Sequence, residues 1–328
     1  MTKEFIVGVD LGGTRVRAGL FDSQLNLIRR HEILTLAHEG LESTLKRICG
    51  LIETIIPEDR KSVLGIGFSA PGPLDTEAGV IVRPPNLHGW HNVPLAALIS
   101  EEFSVPVFLG NDANLAALAE TAMGAGKGYS HVTYITVSTG IGSGMIINGR
   151  MLLGIHGLAA EIGHIPLVVK SKKVSTPELE ASGTAIARKA QKKLRKGAAS
   201  TLLSTAGGDI SAVNAKMVGD AANRGDALAL EIIQEAGHVL GLTVVTVLHL
   251  FNPQMVLIGG GVSEIGDILF NPMWEAIRKY SMDEVYWRNL IIGQPALGED
   301  VSLYGAAALV LTGGGNHNLL ELNLSSLL

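Results

Sequence analysis

A chain of 328 residues, 47% of them hydrophobic, can bury one large core or two ordinary ones, which makes a two-lobed protein with a cleft the natural expectation. A formal net charge of -5 excludes the basic footprint of a nucleic-acid binder. The single cysteine, Cys49, excludes an internal disulfide framework and a cysteine-rich metal site, and fits a reducing cytoplasm.

Residues 5–9 (FIVGV) and 16–21 (VRAGLF) predict strands joined by DLGGTR, with a third strand at 25–33, an antiparallel meander. No secretory pattern precedes it, and the longest apolar run, LGLTVVTVLHLF, is interrupted by His249 and too short to span a bilayer, so a soluble, cytoplasmic protein is expected. A helical pattern at 41–55 leads to the apolar strand SVLGIGFSA, stopped by the turn PGPLD. VPVFLG is a further strand, and after the break Gly110-Asn111-Asp112 a helix runs from Leu115 to Met123. HVTYITVSTGIGSGMIINGR repeats the strand, turn and returning strand of residues 5–21, pointing to two lobes of like topology. Helical segments follow at 178–196, 211–223 and 226–250; the basic run RKAQKKLRK in the first has the spacing of a solvated helix face. PQMVLIGGGVS is a buried strand ending in glycines, YGAAALVLT a closing helix, and NHNLLELNLSSLL a tail whose leucines dock at no assigned place.

Three stretches carry chemistry. Asp112 reads first as a helix cap, with a base facing the ligand-binding edge of an α/β sheet as the alternative. VDLGGTRVRAG offers Asp10, Gly12, Gly13 and Thr14 at a tight turn, which can aim backbone N–H groups and a hydroxyl at phosphate while the carboxylate holds a metal through water; an ordinary glycine hairpin is the plainer alternative. STGIGSG at 138–144 is a second such turn, and the two together point to a nucleotide held between lobes. Competing motifs fail. Lys127 is followed by Gly128, so there is no P-loop; GIGFSA runs into Pro71-Gly72-Pro73, which forbids the helix of a dinucleotide fingerprint; Ser69 lacks a nucleophile-elbow context.

The stretches VGVDLGGTRVRAGLFD, GIGFSAPGPLD, GNDANLAALAE, VSTGIGSGMIINGRMLLGIHGLAAEIGHIPL, LEASGTAIAR and VLIGGGVS resemble the ROK family of sugar kinases over nearly the whole chain. The resemblance implies an α/β, two-lobed actin-like and hexokinase-like (ribonuclease H-like) ATPase fold with a central cleft: a small lobe of 1–111 plus the C-terminal helix and tail 303–328, and a large lobe of 112–302. It implies ATP phosphates on Asp10, Gly12, Gly13 and Thr14 and on Ser138, Thr139, Gly140 and Gly142, adenosine against Gly259, Gly260 and Gly261, and Mg2+ held by Asp10 through water. The sugar is expected on Gly72, Asn111, Asp112, Glu161 and His164, with Asp112 the catalytic base.

One departure matters. Many family members hold a structural zinc with the E-x-G-H histidine and three cysteines; here HIPLVVKSKKVSTPELEASG has none, so no structural zinc is expected, and another hydrogen bond has to select the His164 tautomer. Counting back five from Gly183, as the family's L-E-x-x-x-S-G does, gives Glu178 as one more sugar ligand, with Glu180 turned to a different face of a helix starting at Pro177; alternatively both are first-turn acids complementing the helix dipole.

The expected function is an ATP- and Mg2+-dependent hexose kinase, a glucokinase acting on the 6-hydroxyl, with the lobes closing over the sugar. An N-acetylhexosamine (N-acetylglucosamine or N-acetylmannosamine) or other hexose kinase is the alternative in class, and a catalytically silent sugar-binding regulator the alternative outside it. The family's repressors carry a helix-turn-helix ahead of the first hairpin, which starts here within five residues of Met1, so no DNA-binding module, nucleic acid or membrane partner is expected. A homodimer is the family's expectation.

Overall fold

Alternation along the first strand sets the architecture of the N-terminal half. β1 (Phe5–Leu11), β2 (Arg15–Asp22) and β3 (Leu27–Leu34) form the expected meander. α1 (Leu41–Glu53) then returns the chain to β4 (Val63–Ala70), parallel to β1. A small hairpin of β5 (Leu74–Asp75) and β6 (Val80–Ile81) and the helix α2 (Leu95–Phe103) lead to β7 (Val107–Asn111), parallel to β4, and to α3 (Asp112–Met123). The sheet order is β3-β2-β1-β4-β7. Val7 and Val9 face a core shared with Ile48 and Ile52 of α1 and Ile99 and Phe103 of α2. Gly8 and Asp10 point to the other side.

The computed structural model describes residues 4–169 and 173–322. β8 (Val132–Val137), β9 (Ile141–Ile147) and β10 (Arg150–Met151) form the second meander. β11 (Leu167–Val169) and β12 (Lys173–Ser175) pair with each other. Helices α4 (Pro177–Ala181), α5 (Gly183–Arg195), α6 (Leu202–Thr205), α7 (Ala215–Asn223) and α8 (Ala227–Phe251) lead to β13 (Met255–Gly259). α9 (Asp267–Tyr280), β14 (Ile291–Gly293) and α10 (Val301–Leu311) follow. The second sheet has the order β10-β9-β8-β13-β14.

Two corrections concern helices. The single helix expected over 178–196 is two, because Ser182 is extended (ψ 163°) and its hydroxyl accepts the Ala185 N–H to cap α5. The helix expected from 211 starts at Ala215, behind Asn214 as N-cap. α8 is long and apolar enough to cross a membrane by length and composition, but most of that window is buried in the protein, and α8 packs along α9.

The chain divides into two compact units, Met1–Val132, Gly144–Ala160 and Pro295–Leu328 in the first, Thr133–Ser143 and Glu161–Gln294 in the second. The sequence draws its boundaries at 112 and 303 instead. The difference has a packing cause: α3 lies along α10 within the first unit, and a Cβ at Gly305 would strike the Leu115 carbonyl. Glu120 of α3, fully buried, accepts N–H groups from Ala125 (2.8 Å), Ala296 (3.0 Å) and Leu297 (2.9 Å), fixing the approach to Asp300 and α10. The expected tail docks by its Leu319, buried, whose N–H reaches the Gly149 carbonyl at 2.8 Å. Residues 323–328 of that tail, and 170–172 of the segment read for zinc, lie outside the described residues.

Candidate active site

In the first unit the parallel strands β1, β4 and β7 end side by side. Asp10 is level with Ser69, Ser69 with Gly110, and Ala70 with Asn111, so the expected residues gather at the carboxyl edge of the sheet, where α/β folds bind ligands. Gly12 closes the β1–β2 turn by donating its N–H to the Arg15 carbonyl at 3.0 Å, while Thr35 Oγ1 donates to the Gly12 carbonyl at 2.6 Å. Gly13 lies against Asn86 so closely that a Cβ would fall 2.7 Å from the Asn86 Cβ. The Thr14 side chain at the tip is exposed.

Asn111, not Asp112, is the cap. Its extended backbone (φ -73°, ψ 145°) lets Oδ1 accept the N–H groups of Ala113 (2.9 Å) and Asn114 (3.4 Å). Asp112 is the first helical residue, and its Oδ1 accepts the Ala113 N–H at 2.8 Å. Gly72 sits beside Asn111, its Cβ direction 3.5 Å from Asn111 Nδ2.

The charges on this edge are unbalanced. Burial, joined by the Asp112 and Asp300 carboxylates, pushes Asp10 up to about 6 against the pull of Arg17, whose guanidinium is 3.8 Å away. Arg17 also holds the Glu299 carbonyl at 3.0 Å, and Arg30 pairs with Asp300 at 3.0 Å. Burial likewise raises Asp112 above the usual carboxylate range, opposed by the Ala113 N–H, although the residue keeps access to solvent. Among the described residues no three His, Cys, Asp or Glu side chains are spaced to ligate a metal directly. An excess of carboxylate around Asp10 therefore fits a divalent cation held through its water shell.

In the second unit the turn between β8 and β9 is held from outside. The Ser138 carbonyl accepts the Gly183 N–H at 2.7 Å, and Thr184 Oγ1 donates to the Thr139 carbonyl at 2.7 Å. Beside this turn opens a cavity of about 660 Å³, in the size range of small-ligand sites. Ser138, Thr139 and Gly261 line it, whereas Gly140, Gly142, Gly259 and Gly260 do not. Gly260 has φ 85°, and a Cβ there would strike the Val137 carbonyl, so it lets the end of β13 lie on β8. The rest of the wall, including Thr184, Asn214, Lys216, Asp220 and Glu264, comes from α5, α7 with its N-cap, and the turn after β13. Sequence reasoning missed that wall. Its one available signal was Ser182-Gly183-Thr184, a capped helix start with a hydroxyl.

The expected sugar residues of this unit also converge. Ala160, at φ 67°, turns the chain into Glu161, which precedes a short 3-10 turn ending at His164. A Cβ at Gly163 would collide with the Ile141 carbonyl, so that turn sits directly on the start of β9, and it packs against α4. Glu178 of α4 accepts the Ile141 N–H through Oε2 at 3.0 Å. Glu180, two residues on, faces away: Ser175 Oγ donates to it at 2.6 Å and Lys189 pairs with it at 3.0 Å. Glu161 and His164 are exposed, and among the described residues no hydrogen bond holds the His164 ring.

The ROK family model matches residues 6–313. The chain belongs to the ROK family. A glucokinase of Thermotoga maritima is 35% identical over 315 residues, 94% of this chain and 98% of the relative. The structure of a ROK family glucokinase from Streptomyces griseus, in complex with glucose and AMPPNP, is 29% identical and superposes with a TM-score of 0.71, over 93% of this chain and 98% of that one. A xylose repressor of Caldicellulosiruptor bescii is 28% identical over 94% of this chain and 78% of its own length. The fold of this ROK protein is the α/β actin-like and hexokinase-like ATPase fold.

Proposed function

We propose that this ROK sugar kinase transfers the γ-phosphoryl group of ATP to the 6-hydroxyl of glucose. The observation that carries the proposal is the division of labour at the end of β7: Asn111 takes over the capping of α3, which leaves Asp112 at the sheet edge with a raised pKa and access to solvent. Phosphoryl transfer asks little covalent chemistry of a protein beyond positioning, charge neutralisation and a base. Asp112 accepts the sugar hydroxyl proton, and its upward shift brings it nearer the working pH, where a base is most effective. Gly72, Asn111, Glu161, His164 and Glu178 hold the other hydroxyls. Thr14 and the Gly12–Gly13 turn, with Ser138 and Thr139, hold phosphates, and the 660 Å³ cavity takes the nucleoside. When bound, Mg2+ neutralises the phosphate charge, and Asp10 holds it through water. The glucokinase relative, and the glucose and AMPPNP bound by the Streptomyces griseus protein, support this substrate pair.

The likeness to a xylose repressor favours a second reading, a sugar-binding protein without turnover. Production of glucose 6-phosphate from glucose and ATP, followed by coupled reduction of a nicotinamide nucleotide, separates the two. Sustained turnover supports the kinase. Glucose binding without turnover supports the regulator.

A further inference from the structure

We infer that Glu178 joins the sugar residues to the phosphate turn of the same unit, so that sugar and nucleotide tighten each other's binding. This rests on the kinase proposal above. The two carboxylate oxygens of Glu178 have different surroundings. Oε2 accepts the Ile141 N–H at 3.0 Å and lies where a Cβ on Gly140 would collide with it, so it is packed into the β8–β9 turn. Oε1 makes no hydrogen bond among the described residues, and the turn that ends at His164 packs on the same Ile141 and against α4, the helix that carries Glu178.

The helix that carries Glu178 is fixed. Pro177 and Ala181 are buried, Thr176 Oγ1 caps it, and Glu180 is clamped by Ser175 and Lys189. The turn it touches is the one whose Ser138 and Thr139 line the cavity and whose carbonyls are held by Gly183 and Thr184. A sugar hydroxyl donating to Oε1 immobilises the carboxylate, and with it Ile141 and Gly140. The nucleotide then meets a turn already ordered, and by linkage the nucleotide favours the sugar by the same factor. Glu178 is thus both a sugar ligand and a positioning residue for the nucleotide turn.

Calorimetric titration of the full chain with glucose, with and without AMPPNP and Mg2+, and with AMPPNP with and without saturating glucose, tests this. In the wild type each ligand is expected to tighten the other by about fivefold or more, equally in both directions. Glu178→Ala should reduce that factor to less than about twofold, beyond any weakening of glucose alone. Gly140→Ala, which keeps the carboxylate but displaces it, should lower the factor as well, read as the ratio of each ligand's affinity with and without the other. A factor near one in the wild type, or one retained in Glu178→Ala, overturns the inference and leaves the kinase proposal standing. A wild type that binds no glucose removes both.

Discussion

Asp10→Asn should make the unliganded protein more stable at neutral pH while removing its phosphoryl transfer. Asp10 is pushed from 3.8 to about 6 in the folded chain. Each tenfold change in proton affinity between the folded and unfolded chain is worth about 1.36 kcal/mol, so ionisation of Asp10 above pH 6 costs the fold up to about 3 kcal/mol. The sign follows from the direction: the folded chain holds this proton more tightly than the unfolded one, so its relative stability is full below pH 3.8 and is lost as pH rises through 6. Asparagine never ionises and escapes that cost. Arg17 is not orphaned by the change, because the Glu299 carbonyl at 3.0 Å and Glu32 at 3.8 Å remain. Allowing for solvent access to Asp10, urea unfolding at pH 8 should show Asp10→Asn more stable by about 1 to 3 kcal/mol, falling to about 1 kcal/mol or less at pH 4.5. A variant less stable than wild type at pH 8, or a gap that does not change with pH, would refute the argument that an uncompensated carboxylate is stored here for a cation.

Asp112→Asn should leave glucose binding within about tenfold and lower kcat about a hundredfold or more, since shape survives and the base does not; near-normal turnover of the purified variant contradicts the role. Glu178→Gln keeps an acceptor for the Ile141 N–H but loses charge, so KM for sugar should rise roughly ten- to a hundredfold, with KM for ATP rising far less, by about the fivefold of the lost coupling, and Glu180→Gln, bound to Ser175 and Lys189, should do far less to either; the reverse pattern would show Glu180 at the sugar. Gly163→Ala drives a methyl into the Ile141 carbonyl, which cannot swing aside as a side chain would, and should weaken sugar binding about tenfold or more; unchanged KM for sugar would dissociate this turn from the site. The purified protein should carry no stoichiometric zinc, and one zinc per chain retained through dialysis would contradict the cysteine argument.

The parts of the fold legible in the sequence are those set by local pattern. The alternation of Val7 and Val9 with Gly8 and Asp10 gives both the strand and its two faces, and the glycines after β8 and β13 mark their turns. Asn111 and Asp112 show the limit of propensity: both residue types cap well, and only the extended backbone of Asn111 decides which one does. Ser182 breaks its helix for a similar reason, a side chain offering the backbone another partner in a run whose composition is helical throughout. No helix is predicted over 267–280, where Pro272 hides α9; packing on α8, with Gly237 facing the Leu269 carbonyl, overrides that signal. The cavity wall from α5 and α7 was out of reach because it exists only once distant helices pack, whereas the residues on the hairpins carried their own motif.

The most direct measurement is ADP release by the purified protein with ATP and Mg2+, screened across glucose, mannose, fructose, N-acetylglucosamine and N-acetylmannosamine, with Asp112→Asn in parallel. The highest kcat/KM is expected for glucose, with a loss of about a hundredfold or more in the variant. ADP release with N-acetylmannosamine or N-acetylglucosamine above that with glucose would contradict the substrate, and no sugar-dependent release with any of the five, or release unaffected by Asp112→Asn, would contradict the mechanism.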